Sequence, residues 1–216
     1  MRRKFQDQLD DLNKALIEMG SMCETAIKNS IKALLEGDYE FAKKITDSDG
    51  EIDQKEREIE SQCMKLILLQ QPMAWDLRQI SAALKIITDL ERIGDQAADI
   101  SEIVTLGHIK PLNVFGSLSD MAHAAAKMVT DSIDAFVGQD LEKAREVIAY
   151  DDVVDDYFDE VRVEMIDMIA ENRIESEYFV DVIMIAKYFE RIGDHATNVA
   201  EWVEYSITGL HKGEKI

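Results

Sequence analysis

Two prolines and ten glycines in 216 residues leave few places where a helix must stop. Two cysteines, Cys23 and Cys63, are too few for a disulfide framework. Each falls in an apolar helical pattern where a small buried thiol is expected, which suits a reducing, cytoplasmic setting. Aromatic residues make up only 7% of the chain, and they do not join β-branched residues in alternating runs, so strands are not expected. Basic residues are outnumbered, 24 against 44 acidic, and the net charge of -20 would repel phosphate backbones and anionic headgroups. Nucleic acid is thereby excluded as a partner class. No long apolar run exists either: the longest uncharged stretch, Leu66 to Trp75, is broken by Pro72 and falls short of the ~20 residues a membrane span needs. The opening Met-Arg-Arg-Lys-Phe runs straight into Gln-Asp-Gln-Leu-Asp-Asp, with no apolar region behind it to make a secretory signal.

What remains is a chain with 46% hydrophobic residues spaced at helical intervals, and the expected class is all-α. A first helix is predicted from Phe5 to Leu35, stopped by Gly37. Asp38 caps a second that continues to Gln70, and Pro72 makes the turn. Asp76 with Gln79 resembles a capping box for a third helix reaching Gly107. Between Gly107 and Ser117 two glycines and Pro111 interrupt the pattern, which places a domain boundary there, dividing 1–107 from 108–216. In the second half Ser117 with Asp120 caps a fourth helix to Val137, and Gly138 ends it. Asp140 caps a fifth to Glu171, and Asn172 with Glu175 caps a sixth to Gly209. Leu210 to Ile216 is expected to be a frayed tail.

The third and sixth helices each carry the pentapeptide Glu-Arg-Ile-Gly-Asp, at 91–95 and at 190–194. A glycine inside a helix costs about 1 kcal/mol relative to alanine, so its recurrence predicts a neighbouring helix in close approach. Glu91 and Asp95, like Glu190 and Asp194, are four apart and share a helical face. A second acid pair recurs on the preceding helix: Asp49 with Asp53, and Asp151 with Asp155. Asp49 and Asp151 are offset by 102, as are Asp38 and Asp140, whereas Glu91 and Glu190 are offset by 99. The three lost residues fall in the turn around Pro72, as duplication of a three-helix unit would produce.

If the second and third helices of each half pack antiparallel, two acid pairs face one another and offer four carboxylates, with Asp99 or Asn198 one turn further along. An all-oxygen group of this kind suits Mg²⁺, Ca²⁺, Mn²⁺ or iron rather than a thiolate-type zinc site. Two readings without metal stand beside it. The run Asp49, Asp53, Glu56, Glu60 is also what a solvated helix face looks like, and Arg92 and Arg191 are placed to neutralise Asp95 and Asp194 at i,i+3. His195 replaces Gln96 of the first half, so any ligation by it occurs in one copy only. His108, His123 and His211 stand alone. A Gly-rich phosphate loop, nucleophile-type Ser/His/Asp or Cys/His spacing, and the Glu-x-x-His pairs of di-iron bundles are all missing, which leaves no case for an enzyme.

The twin pentapeptides, preceded by Asp76-Leu77-Arg78 and Leu84-Lys85-Ile86-Ile87 in the first half and followed by His195-Ala196-Thr197-Asn198 in the second, resemble the PhoU family over essentially the whole chain. The resemblance implies two pseudo-symmetric three-helix bundles in tandem, and multinuclear clusters of iron, zinc, magnesium or manganese on the paired motifs. It implies Asp49, Asp53, Glu91, Asp95 and Asp99 as one ligand set and Asp151, Asp155, Glu190, Asp194 and Asn198 as the other. It further implies a cytoplasmic regulator of phosphate uptake that contacts a phosphate ABC transporter and a sensor histidine kinase to restrain the phosphate-starvation response. The expected product is thus a non-enzymatic adaptor, peripheral to the membrane through protein partners and self-associating as a dimer. The rivals are a metal-dependent helical-bundle oxidase or storage protein and a metal-free scaffold.

Overall fold

A computed structural model of the chain describes residues 2–70, 72–109, 116–171 and 175–215. Seven helices account for nearly all of it: α1 (Arg2–Glu36), α2 (Tyr39–Ser48), α3 (Gly50–Gln70), α4 (Ala74–Thr105), α5 (Gly116–Gly138), α6 (Leu141–Ala170) and α7 (Ser176–Thr208). α1, the α2–α3 rod and α4 form one three-helix bundle, and α5, α6 and α7 form the other. No helix among the described residues is long and apolar enough to cross a membrane.

The repeat is written into the core. Ile86, Ile93, Ala97 and Ile100 of α4 and their counterparts Ile185, Ile192, Ala196 and Val199 of α7 are all fully buried. With Leu90 and Phe189, also fully buried, between the first two of each set, these stripes recur every three to four residues, so each helix turns one continuous apolar face inward. The broadest helix–helix interface runs between α4 and α7, with α1 lying against α5, so the two bundles share a single hydrophobic core.

Equivalent caps set the entry of the second rod in each half. The Asp38 carboxylate accepts from the Phe41 backbone N–H at 2.9 Å, and that of Asp140 accepts from Lys143 N–H at 3.0 Å. Each supplies a partner to a donor that the first helical turn leaves unmatched. Gly37, with φ of +63°, ends α1 as expected, because only glycine adopts that backbone cheaply.

Several expected boundaries differ. The second rod is interrupted at Asp49, where N–H groups reach back three residues instead of four: Asp49 to the Thr46 carbonyl at 3.4 Å and Ile52 to the Asp49 carbonyl at 3.0 Å. Gly50 follows Asp49, whereas Asp152 stands in its place in the unbroken α6, and a glycine is the poorer helix former. α4 starts earlier than a cap at Asp76 allows: Met73 is its N-cap and makes no side-chain bond, leaving Asp76 as a favourable charge in the first turn. Gln79 bonds Gln139 and the Ser206 carbonyl instead. Ser117 lies inside α5 and donates to Glu164 Oε2 at 2.8 Å. The left-handed residue that ends α5 is Gln139, with φ of +49°, rather than Gly138. Asn172 lies outside the described residues, and Glu175 caps α7 without a side-chain bond.

The expected frayed tail is a β-hairpin. β1 (Leu210–His211) pairs antiparallel with β2 (Glu214–Lys215) across Lys212-Gly213, both at positive φ as a tight hairpin turn requires. His211 stacks on Trp202 at 4.0 Å, and Lys212 pairs with Glu201 at 2.9 Å, fastening the hairpin to α7.

Candidate metal centre

The glycine of each pentapeptide sits where another helix comes closest. A Cβ added at Gly94 would lie 2.8 Å from Cδ1 of Ile52 on α3, and one at Gly193 would lie 3.4 Å from both Asp151 Oδ1 and Val154 Cγ1 on α6. The acids flanking each glycine are thereby brought against the acid pair of the preceding rod.

In the first bundle Asp49 at the α2–α3 joint, Asp53 one turn into α3, and Asp95 on α4 each present an oxygen, and the three oxygens lie within 4.8 Å of one another. Oxygens bound to one divalent cation at about 2.0–2.6 Å stand no more than about 5 Å apart, so these three side chains can ligate a common ion. Burial, then Asp95, Asp53 and Asp99, push the Asp49 carboxyl above its ordinary range. Burial and Asp95 do the same to Glu91, against the opposing pull of Arg92. Glu56, seen in the sequence only as part of the acidic stripe, belongs to this field and lies 3.4 Å from the Thr88 hydroxyl. Arg92 binds Asp95 at 3.0 Å and approaches Glu91 at 3.4 Å, so the expected arginine neutralisation is present, yet the arginine is half-exposed and leaves several carboxylates uncompensated.

In the second bundle burial, then Asp194 and Asp155, push the Asp151 carboxyl up to about 6. Asp155 is raised by burial, Glu190 and Asp194, and Asp194 by burial and Glu190 against Lys187, His195 and Arg191. Asp194 and Asp155 thus each act on Asp151, and Glu190 acts on Asp155 and Asp194, so the repulsion links the four positions. Among the described residues, however, no three of them converge as tightly as Asp49, Asp53 and Asp95. Lys187 pairs with Glu190 and lies over the Phe158 ring at 5.5 Å, in the positions that Thr88 and Glu56 hold in the first bundle. The extra acid Glu56 of the first half is thus matched by Phe158, and Thr88 by a lysine.

The fifth members of each set are engaged across the α4–α7 interface. Tyr188 of α7 hydrogen-bonds the Asp99 carboxylate, which burial, Asp95 and Glu102 raise and Arg191 lowers. Asn198 donates to Asp89 Oδ1 of α4 at 3.2 Å, and the same oxygen is 2.9 Å from His195 Nδ1. Asp89 was invisible to the repeat because its counterpart is Tyr188, which is not an acid. His195, Asn198, Asp151 and Asp194, with Arg191 and Lys212, line a cleft of 480 Å³.

Fold and site together define a class: a duplicated three-helix-bundle protein carrying an acid-x-x-x-acid site in each repeat, with donors suited to hard cations. A family model, the PhoU domain, matches residues 16–104 and again 118–203. The chain belongs to the PhoU family. It is 38% identical over 210 residues to a phosphate-specific transport system accessory protein PhoU homolog of Clostridium acetobutylicum, covering 96% of each chain. Its backbone matches crystal structures of PhoU from Pseudomonas aeruginosa, with TM-score 0.85, 31% identity and coverage of 95% and 100% of the two chains. It also matches the phosphate transport system regulatory protein PhoU from Streptococcus pneumoniae, with TM-score 0.88, 26% identity and coverage of 96% and 98%.

Proposed function

We propose that this protein is a non-enzymatic, cytoplasmic accessory protein of a phosphate-specific transport system, restraining phosphate uptake and starvation signalling as an adaptor between a phosphate ABC transporter and a sensor histidine kinase. The observation that carries the proposal is end-to-end correspondence: 38% identity over 96% of each chain to a relative named as such an accessory protein.

Metal ions are the proposed structural element of that surface. In the first bundle Asp49, Asp53 and Asp95 would hold a cation of the iron, zinc, magnesium or manganese group, with Glu91 and Asp99 beside it. In the second, Asp151, Asp155, Glu190 and Asp194 would do so, with Asn198 beside them. A bound cation would offset the burial and the mutual repulsion that raise Asp49, Glu91 and Asp151, and would lock the rod to the pentapeptide helix. The domain division at 107/108 and self-association as a dimer belong to the same proposal, which envisages two stiff lobes presenting duplicate faces.

The direct test is recovery of partners from phosphate-replete cells by affinity capture of the intact chain. Transporter and kinase components are expected in the eluate and should be lost in phosphate-starved cells; their absence under both conditions refutes the adaptor role. Chelation tests the structural part. The thermal midpoint should fall after verified metal removal, and an unchanged midpoint refutes it.

A further inference from the structure

The chain-wide charge of -20 is not evenly spread. α3 and α4 meet at a turn after Gln70, and over residues 61–80 Lys65 and Arg78 stand against Asp76 alone. α1 runs antiparallel to this rod: Met22 lies beside Ile52 and Asn29 beside Ile45 along one groove, and Glu18 pairs with Lys55. In that register α1 begins at the end where α3 finishes, and it begins with Arg2-Arg3-Lys4. α7 finishes at the same end, where Gln79 bonds the Ser206 carbonyl at 3.3 Å. Its acids there are paired, Glu201 with Lys212 at 2.9 Å and Glu204 with Arg145 at 3.0 Å. Asp140 and Glu142 at the start of α6 are engaged too, by the Lys143 N–H and by Arg145.

This least acidic end also carries the barest apolar surface. Leu68 and Leu69 are 72% exposed and Met73 77%, more than any other large apolar side chain among the described residues. Trp75, at 49%, and Leu77 stand beside them. Side chains so exposed contribute little to the core, and a contiguous group of them marks a contact surface. The end of a helical hairpin is convex, so it enters something soft more readily than it receives a ligand. Leucine and methionine with tryptophan, ringed by cations, suit a bilayer surface: the aliphatic chains reach the acyl boundary, the indole sits at headgroup level, and the cations meet anionic headgroups.

The equivalent turn of the second bundle supplies the contrast. It lies about 45 Å away along α4, near the His108–Asp181 contact, and exposes Ile166, Ile169 and Val180. Residues 160–181, however, hold seven acids against Arg162 and Arg173. An anionic surface therefore attracts one turn and repels the other. At physiological salt, where fields fade over about 8 Å, the distant acids do not cancel the attraction at the first turn.

We propose that the α3–α4 turn is a membrane-docking tip, which inserts Leu68, Leu69, Met73 and Trp75 into the headgroup boundary of an anionic lipid surface and holds the second bundle away from it. This goes beyond the adaptor reading and requires no metal ion.

The test mixes the full chain with protein-free vesicles of phosphatidylglycerol and phosphatidylcholine, or of phosphatidylcholine alone, at about 0.15 M salt. Cosedimentation with the anionic vesicles is expected, weakened at least about 10-fold with the neutral ones. Leu69→Glu combined with Met73→Glu should weaken it more than about 10-fold, whereas Ile166→Glu with Val180→Glu in the second bundle should leave it unchanged. All four side chains are exposed, so both variants keep the fold. Lipid brominated in its acyl chains should quench tryptophan emission, and Trp75→Phe should remove that quenching, because Trp202 is stacked on His211. Absence of cosedimentation, which would leave the tip to a protein partner, overturns the proposal, as does equal loss in the two double variants. A blue shift of Trp75 emission with rising protein concentration, accompanied by lost vesicle binding, assigns the tip to a second copy of the chain and overturns it as well.

Discussion

The two acid sites descend from the same helical pattern but do not have the same surroundings. In the first, the rod breaks at Asp49, three oxygens gather within 4.8 Å, and Arg92 and Arg57 are nearby cations, paired with Asp95 at 3.0 Å and Asp53 at 3.9 Å. In the second, the rod runs unbroken past Asp151, Lys187 takes a place beside Glu190, and the acids repel without converging as closely. The break explains part of this contrast. Turns bonded three residues back flank Asp49, whereas α6 carries Asp151 in an unbroken helix. Duplication thus supplies matching donor positions, while single substitutions beside them decide how nearly those donors meet.

The largest expected effect separates the sites outright. Asp49→Asn combined with Asp95→Asn should weaken metal binding in the first bundle by more than about 100-fold and leave the second unaffected, as read by calorimetry on the stripped protein. Loss at both sites would show that they act as a unit.

Making the two sets alike in charge is the next way to probe the contrast. Asn198→Asp removes an amide donor and sets a second carboxylate against Asp89, which is only 16% exposed. It should cost about 1–3 kcal/mol in urea unfolding. The reverse change, Asp99→Asn, keeps an acceptor for Tyr188 and should cost no more than about 0.5 kcal/mol.

The pentapeptide glycines should respond in opposite directions. Alanine gains up to about 1 kcal/mol of helix propensity at either position. At Gly94 the new methyl meets the stiff, buried Ile52 at 2.8 Å, and overpacking of about 1–3 kcal/mol makes Gly94→Ala destabilising. At Gly193 the nearest atoms are 3.4 Å away, so Gly193→Ala should be neutral to mildly stabilising. Equal urea midpoints for the two variants would contradict this difference in packing.

A further effect concerns pH in the metal-free protein. Asp151 is raised from 3.8 to about 6, so the folded state binds its proton more tightly than the unfolded chain does. The stability it contributes is present below pH 3.8 and is lost as pH climbs through about 6. The thermal midpoint should fall across that window, and Asp151→Asn should flatten the slope.

Much of this was legible beforehand. Subtracting residue numbers located the repeat and its acid pairs, and the pentapeptide glycine correctly announced a close helix. Asp38 and Asp140 were readable as caps because each comes just after a glycine at a break in the apolar period and precedes the next periodic run. Ser117 and Asp76 misled for a matching reason: a short polar side chain also serves inside a helix, and here Ser117 binds Glu164 instead. The closing hairpin was missed although Lys212-Gly213 carries its turn, because two-residue strands show no period of their own.

Amino-acid order by itself determined the helical class, the duplication, and which faces carry acids, since period and spacing are properties of a single helix. Only tertiary structure decided that Asp49, Asp53 and Asp95 meet, and that Asp89 of one repeat holds His195 and Asn198 of the other. Those relations depend on how α3 and α7 lie against α4, a matter of packing between helices that no spacing along one helix encodes.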